Sequence, residues 1–164
     1  MSEASKKKVY VETTVISYLT ARPTRDLVNL ARQVETREWW ESALQDFELY
    51  TSPVVEREAL DGDAQAAQKR MSVIRQYTQA LPLPVHATAL AERLLSETAV
   101  PRTSYDDALH IATAAINKMD FLVSWNFKHI ARADKKNLIR KACAEAGYVC
   151  PEICTPTELK GGAE

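Results

Sequence analysis

Short runs of β-branched and aromatic residues alternate along this chain with longer stretches whose apolar positions recur at three- and four-residue steps. That alternation restricts the fold to an α/β architecture, a mostly parallel central sheet flanked by helices on both faces. Residues 8–11, 47–51 and 119–124 read as strands, the last nearly continuous in apolar character as buried parallel strands are. Residues 148–150 supply a last short strand. Thr13 and Thr14 cap a helical turn through Leu19. From Arg25 to Asp46 the apolar positions Leu27, Leu30, Ala31, Val34, Trp39, Ala43 and Leu44 give one helix, or two broken near Thr36. Pro53 suits the first position of a short helix over 54–60, and Asp61-Gly62-Asp63 breaks it before another over 64–79. Leu81-Pro82-Leu83-Pro84 allows only an edge strand or a connector, because proline cannot donate to a sheet ladder. Helices follow over 88–98, ended by Pro101, over 104–117, apolar on most sides and therefore buried, and over 136–146, stopped by Gly147 at a natural C′ position.

With 164 residues and 46% apolar side chains, the chain has material for one core and one domain. We expect that domain over residues 8–158, with frayed ends at 1–7 and 159–164. The balance of 21 basic against 22 acidic residues gives a net charge of -1 and no global pull toward nucleic acid or anionic membrane. A polyanion must therefore be held by a local patch, and Lys6, Lys7 and Lys8, or Arg132, Lys135, Lys136, Arg140 and Lys141, offer two, although most such runs are solvated faces. No apolar run approaches the roughly 20 residues of a membrane span, and the first residues lack an apolar signal segment, so a cytoplasmic protein is expected. Cys143, Cys150 and Cys154 read as free, buried small hydrophobes in a reducing compartment. Joining them to His129 as a zinc site is disfavoured, because the close Cys-x-x-Cys pair is missing.

Acidic or amide residues stand at the mouths of the apolar runs: Glu12 after the first, Glu58 after the second, Asp106 and Asp107 opening the buried helix, and Asn126 after the fourth. In an open α/β sheet, residues just past the carboxyl ends of strands converge on one crevice, and oxygen ligands gathered there suit a hard divalent cation. Each residue also has a plainer reading. Ser104-x-x-Asp107 is a capping box, Glu12 is a neighbour of a helix cap, and Glu58 is one member of a solvated charge run. His110, one turn beyond Asp107 on an apolar helix, reads as a hydrogen-bonded core histidine rather than a ligand. Of Trp39 and Trp40, one is expected to pack and the other to stay exposed as an anchor for a partner.

The stretches Val9-Tyr10-Val11-Glu12-Thr13-Thr14-Val15-Ile16, Thr51-Ser52-Pro53-Val54-Val55-Glu56-Arg57-Glu58, Asp106-Asp107-Ala108-Leu109-His110-Ile111-Ala112-Thr113-Ala114 and Leu122-Val123-Ser124-Trp125-Asn126-Phe127-Lys128-His129 resemble, in that order, the successive motifs of the PIN-domain family. The resemblance runs from residue 8 to about residue 150. It implies a Rossmann-like sheet and a metal-dependent nuclease similar to VapC toxin ribonucleases, of a subgroup with glutamate for the first aspartate and asparagine for the fourth acidic residue. The catalytic set implied is Glu12, Glu58, Asp107 and Asn126. Mg²⁺ or Mn²⁺ would be held by Glu12, Glu58 and Asp107, with Asp106 as an extra ligand. Thr13, Ser52 and Ser124 would orient those ligands from behind, and Lys128 and His129 would meet the scissile phosphate or the leaving oxygen.

The same resemblance implies RNA as substrate, an antitoxin peptide or protein as partner, a groove for the partner's amphipathic helix along residues 27–44, and a homodimer. Glutamate at 12 lengthens the first ligand by one methylene, and asparagine at 126 keeps an oxygen but loses a charge. These two departures carry the competing expectation, a catalytically impaired PIN-fold module that binds RNA or protein without cutting.

Overall fold

The computed structural model describes residues 5–97 and 100–160. Five parallel strands form one sheet in the order β3-β2-β1-β4-β5, comprising β1 (Lys7–Val11), β2 (Phe47–Thr51), β3 (Gln79–Ala80), β4 (Phe121–Val123) and β5 (Glu152–Cys154). Eight helices flank it among the described residues: α1 (Thr13–Thr20), α2 (Leu27–Asp46), α3 (Pro53–Ala59), α4 (Ala64–Tyr77), α5 (Ala87–Ser96), α6 (Tyr105–Ile116), α7 (Lys136–Glu145) and α8 (Pro156–Lys160). The chain winds outward from β1 to β3, crosses back, and continues from β4 to β5. With right-handed crossovers, this reversal sends the helices to opposite faces. Their packing agrees: α1 touches α2, α3 and α4, whereas α5 touches α6 and α7. The strand order reverses between β1 and β4, the point where an open sheet leaves a crevice at its carboxyl edge.

The strands sit at the centre because their sequences carry no polar cost when both faces are covered. Val9, Tyr10, Val11, Leu122 and Val123 are wholly buried. Helix α6 is buried from Ala108 to Ala115, as its all-round apolar pattern requires.

Several sequence expectations shift. Helix α2 is continuous, and buried Thr36 is accommodated by donating its hydroxyl to the Arg32 carbonyl (2.6 Å) while accepting from the Trp125 indole (2.7 Å). Trp39 and Trp40 are both buried, at 1% and 6% exposure. Successive helical residues point ~100° apart, and α2 is covered by α1, β2 and α8, so both directions are filled; Trp40 meets Tyr77 edge-on. The last strand is β5 rather than residues 148–150, where Val149 is 86% exposed, and the ladder to β4 starts only after Pro151. At the proline-rich segment the ladder is limited to Gln79 and Ala80, followed by Leu81 N–H donating to the Thr51 carbonyl. Helix α8, not anticipated, is held by Lys160 bonding to Glu38 and lying 3.8 Å from Glu35 on α2. Of the expected frayed ends, 1–4 and 161–164 lie outside the described residues, while Lys7 already belongs to β1 and Lys160 to α8.

Candidate metal centre

Glu12 follows β1 and caps α1, its Oε2 accepting from Thr14 N–H (2.9 Å). Its Oε1 accepts from the Thr14 hydroxyl (2.6 Å) and the Ser124 hydroxyl (2.5 Å). The side chain is 98% out of water yet every one of these donors is neutral, leaving a buried carboxylate without a cation. Burial of an unpaired charge is costly. Glu58, on α3, accepts from the Thr13 hydroxyl (2.7 Å) and lies 2.5 Å from His110 Nε2. Oxygens of Glu12 and Glu58 and a ring nitrogen of His110 all fall within 4.8 Å of one another.

Asp107, in the first turn of α6, joins through Asn126, whose side-chain N–H donates to Asp107 Oδ1 (3.1 Å). Asn126 Oδ1 accepts from His129 N–H (3.0 Å), and Asn126 N–H donates to Ser124 Oγ (2.9 Å), which leads back to Glu12. Positions 12, 107 and 126 thus share one hydrogen-bonded line through Ser124 at the reversal of strand order, and Glu58 lies beside Glu12 but bonds only to Thr13 and His110. Ser104 makes no side-chain capping bond, and Asp107 engages Asn126 instead, so the capping-box reading does not hold.

The electrostatics follow from this crowding. Burial raises the Asp107 carboxyl above its ordinary range and the charges of Glu12 and Glu58 add to it, against the opposing pull of His110 and His129. Burial also works against ionised Glu58, but the His110 bond and charge, the Thr13 hydroxyl and Arg57 outweigh it and hold that carboxyl low. For His110, burial disfavours the imidazolium, yet the Glu58 bond and the charges of Glu12, Glu58 and Asp107 win and raise it above its usual value. Among the described residues no lysine or arginine forms an ion pair with Glu12, Glu58 or Asp107. The clustered oxygens of Glu12 and Glu58, with the Asp107 carboxyl near enough to feel their charge, fit a divalent cation, whose charge supplies what the protein omits.

The remaining expected residues divide. Thr13 and Ser124 bond the carboxylates directly. Ser52 reaches them only through Tyr10 and His110. Asp106 faces outward to Arg57 as an ion pair and stands apart from the cluster. Asn126 presents its amide nitrogen, not its oxygen, to Asp107. Lys128 and His129 line a neighbouring cleft of ≈ 560 Å³ together with Arg102, Arg132 and Lys135, where His129 Nδ1 is buried without a partner. His110 is the core histidine expected, with both ring nitrogens bonded, and it also completes the cluster. Its i+3 spacing from Asp107 was the available signal. Tyr10 carried none beyond strand alternation. The three cysteines are free, and none belongs to the cluster.

No protein-family model matches the sequence, and no curated protein matches it. Solved structures do match. The Rickettsia felis VapBC2 structure, bound to a DNA fragment from its promoter, superposes with a TM-score of 0.54 at 12% identity over 74% of this chain and 89% of the other. Mycobacterium tuberculosis VapC20, a sarcin-ricin loop cleaving toxin, gives 0.53 at 17% identity over 87% and 99%. The fold is that of a VapC-type PIN domain. At such identity the likeness concerns the fold, and the chemistry rests on the residues. In this PIN fold the acidic positions expected from the sequence motifs fall at the carboxyl edge of β1, on α3 after β2, and at the start of α6, with Asn126 just past β4.

Proposed function

We propose that the protein is a metal-dependent endoribonuclease that hydrolyses RNA phosphodiester bonds as the toxin of a type II toxin-antitoxin pair. The observation that carries this reading is the placing of Glu12, Glu58 and Asp107, buried or half-buried and without a lysine or arginine ion pair among the described residues, beside a cleft lined by Arg102, Lys128, Arg132 and Lys135. Mg²⁺ or Mn²⁺ held there would supply Lewis-acid activation of the attacking water and charge to offset that growing on the phosphate. Glu12, Glu58 and Asp107 would hold the ion. Thr13, Ser124 and the Asn126 amide fix the carboxylates, and Lys128 and His129 in the cleft take the phosphate backbone. RNA is favoured over a small phosphoester because a row of separated cations matches successive phosphates.

An antitoxin segment would cover the apolar patch at the start of α2. Leu27 and Val28 are 78% and 59% exposed, and with Ala31 and Trp125 they line a shallow surface of ≈ 440 Å³. An amphipathic helix laid there is the matching partner. Cytoplasmic action, a homodimer and a single folding unit complete the reading. No described helix is long and apolar enough to cross a membrane.

The test is cleavage of labelled RNA by purified protein with Mn²⁺ or Mg²⁺, without metal, and by Asp107→Asn. Even partners one layer behind a metal are worth ~10–100-fold, so Asp107→Asn should lose on the order of 100-fold or more. Cleavage surviving in the variant or in chelator refutes the assignment. The binding-module alternative is favoured by one observation, the Asn126 oxygen being committed to His129 N–H. It gains if RNA or peptide binds while metal neither binds nor promotes cleavage.

A further inference from the structure

We propose that His110 is a positioning residue of the metal centre: backed by Tyr10 and Ser52, it pins one oxygen of Glu58 and so presents the other to the ion. The inference rests on the metal reading above and adds a role to His110 and Tyr10, which the sequence motifs left unassigned. His110 has no exposed surface, and neither Tyr10 nor Ser52 has any. A hydrogen-bonded line joins them: Ser52 Oγ to Tyr10 Oη at 2.7 Å, Tyr10 Oη to His110 Nδ1 at 2.7 Å, and His110 Nε2 to Glu58 Oε1 at 2.5 Å.

The order of protons follows from the acceptor at the end. A carboxylate only accepts, so Nε2 must carry hydrogen. In the neutral ring Nδ1 then accepts from the tyrosine hydroxyl, which in turn accepts from Ser52; in the imidazolium Nδ1 donates to that hydroxyl and Tyr10 donates to Ser52, and in both Nε2 donates to Glu58. Thr13 donates to the same Oε1 at 2.7 Å. Two donors thus anchor Oε1, while among the described residues no hydrogen bond reaches Oε2. A glutamate side chain free in solution has rotamer freedom that ligation must remove, and this line removes it before the ion arrives. Preorganisation from behind is how outer groups raise metal affinity.

Ligation by Nε2 itself is the competing geometry, because that nitrogen belongs to the same cluster. It is disfavoured by the short bond to Glu58, which uses the Nε2 hydrogen. The two are separable by side-chain reach. The amide nitrogen of glutamine sits close to where imidazole Nε2 stands, whereas asparagine reaches only as far as Nδ1.

Mn²⁺ affinity of the full chain, read from the free-ion electron paramagnetic resonance signal, should fall roughly 10- to 100-fold in His110→Asn and recover to within a few-fold of wild type in His110→Gln. Raising Mn²⁺ should restore RNA cleavage by His110→Asn, as it cannot for Asp107→Asn. Pulsed resonance of wild type with Mn²⁺ should show no nitrogen bound to the ion; a directly bound imidazole nitrogen would make His110 a ligand and overturn the proposal. Equal Mn²⁺ affinity in wild type and His110→Asn also overturns it and leaves the metal reading intact, while a wild type that binds no Mn²⁺ ends both. Should His110→Asn fail to fold, Tyr10→Phe, which keeps the imidazole and cuts the line behind it, must weaken Mn²⁺ binding, and unchanged affinity there refutes the role.

Discussion

Replacing Asn126 by aspartate restores an acidic fourth position and should make the metal-free protein less stable. The Asn126 amide now donates to Asp107 Oδ1 at 3.1 Å. Aspartate there turns an attractive contact into two carboxylates at the same separation. At an effective dielectric of ~20, unit charges so placed repel by about 5 kcal/mol. Both side chains are only partly buried, so rotation and solvent screening bring this to about 2 kcal/mol. Losing a hydrogen bond to a charged acceptor adds about 1.5 kcal/mol. A total near 3–4 kcal/mol lowers the melting temperature of a domain this size by roughly 6–16 °C.

The sign with pH is fixed by linkage. Asp107 already has a raised carboxyl, and a second charge raises the pair further, so the penalty is present at neutral pH and disappears as acid returns one shared proton. Calorimetry in chelator at pH 8 and pH 5 should show the wild type and Asn126→Asp far apart at the first and converging at the second. Mn²⁺ should then raise the variant's melting temperature more than the wild type's. A deficit that does not shrink with acid, or equal Mn²⁺ shifts, would show that 107 and 126 do not share a site.

The Glu58–His110 pair should give the metal-free protein a stability optimum in pH. Glu58 is held low, so its contribution exists above the ordinary carboxyl range and is lost as pH falls through the depressed value; His110 is held high, so its contribution exists below the ordinary imidazole range and is lost as pH rises through the raised one. Glu58→Gln should flatten both limbs in denaturant titrations, and unchanged limbs would refute the pairing. Thr36→Val removes the acceptor of the buried Trp125 indole N–H and should cost about 1–3 kcal/mol by urea unfolding; a neutral result would mean water replaces it. On the proposed toxin reading, Leu27→Asp with Val28→Asp should leave RNA cleavage intact and abolish inhibition by the proposed antitoxin partner, measured by adding the partner to the cleavage reaction.

The strand-helix alternation made the sheet legible because period and composition change together at each boundary, as between Asp46 and Phe47. Acidic positions were legible because they follow buried runs. What escaped depended on distant partners. Whether Thr36 breaks α2 is decided by Trp125, and whether Trp40 is exposed is decided by Tyr77. Asp106 and Asp107 are neighbours in sequence with equal claims, and only Arg57 on α3 and Asn126 past β4 turn one outward and the other inward. Tyr10 looks like any strand aromatic until His110 is packed against it.

Because β1 lies between β2 and β4, and its partner residues on β4 come 112 positions later, a truncated product ending before Phe121 has no seat for Ser124 or Asn126 and leaves Glu12 without its Ser124 donor and Asp107 without its Asn126 donor. On the proposed nuclease reading, a cell translating this message meets no finished cutting edge until most of the polypeptide has left the ribosome. The interval is time in which an inhibitor already present can wait for it.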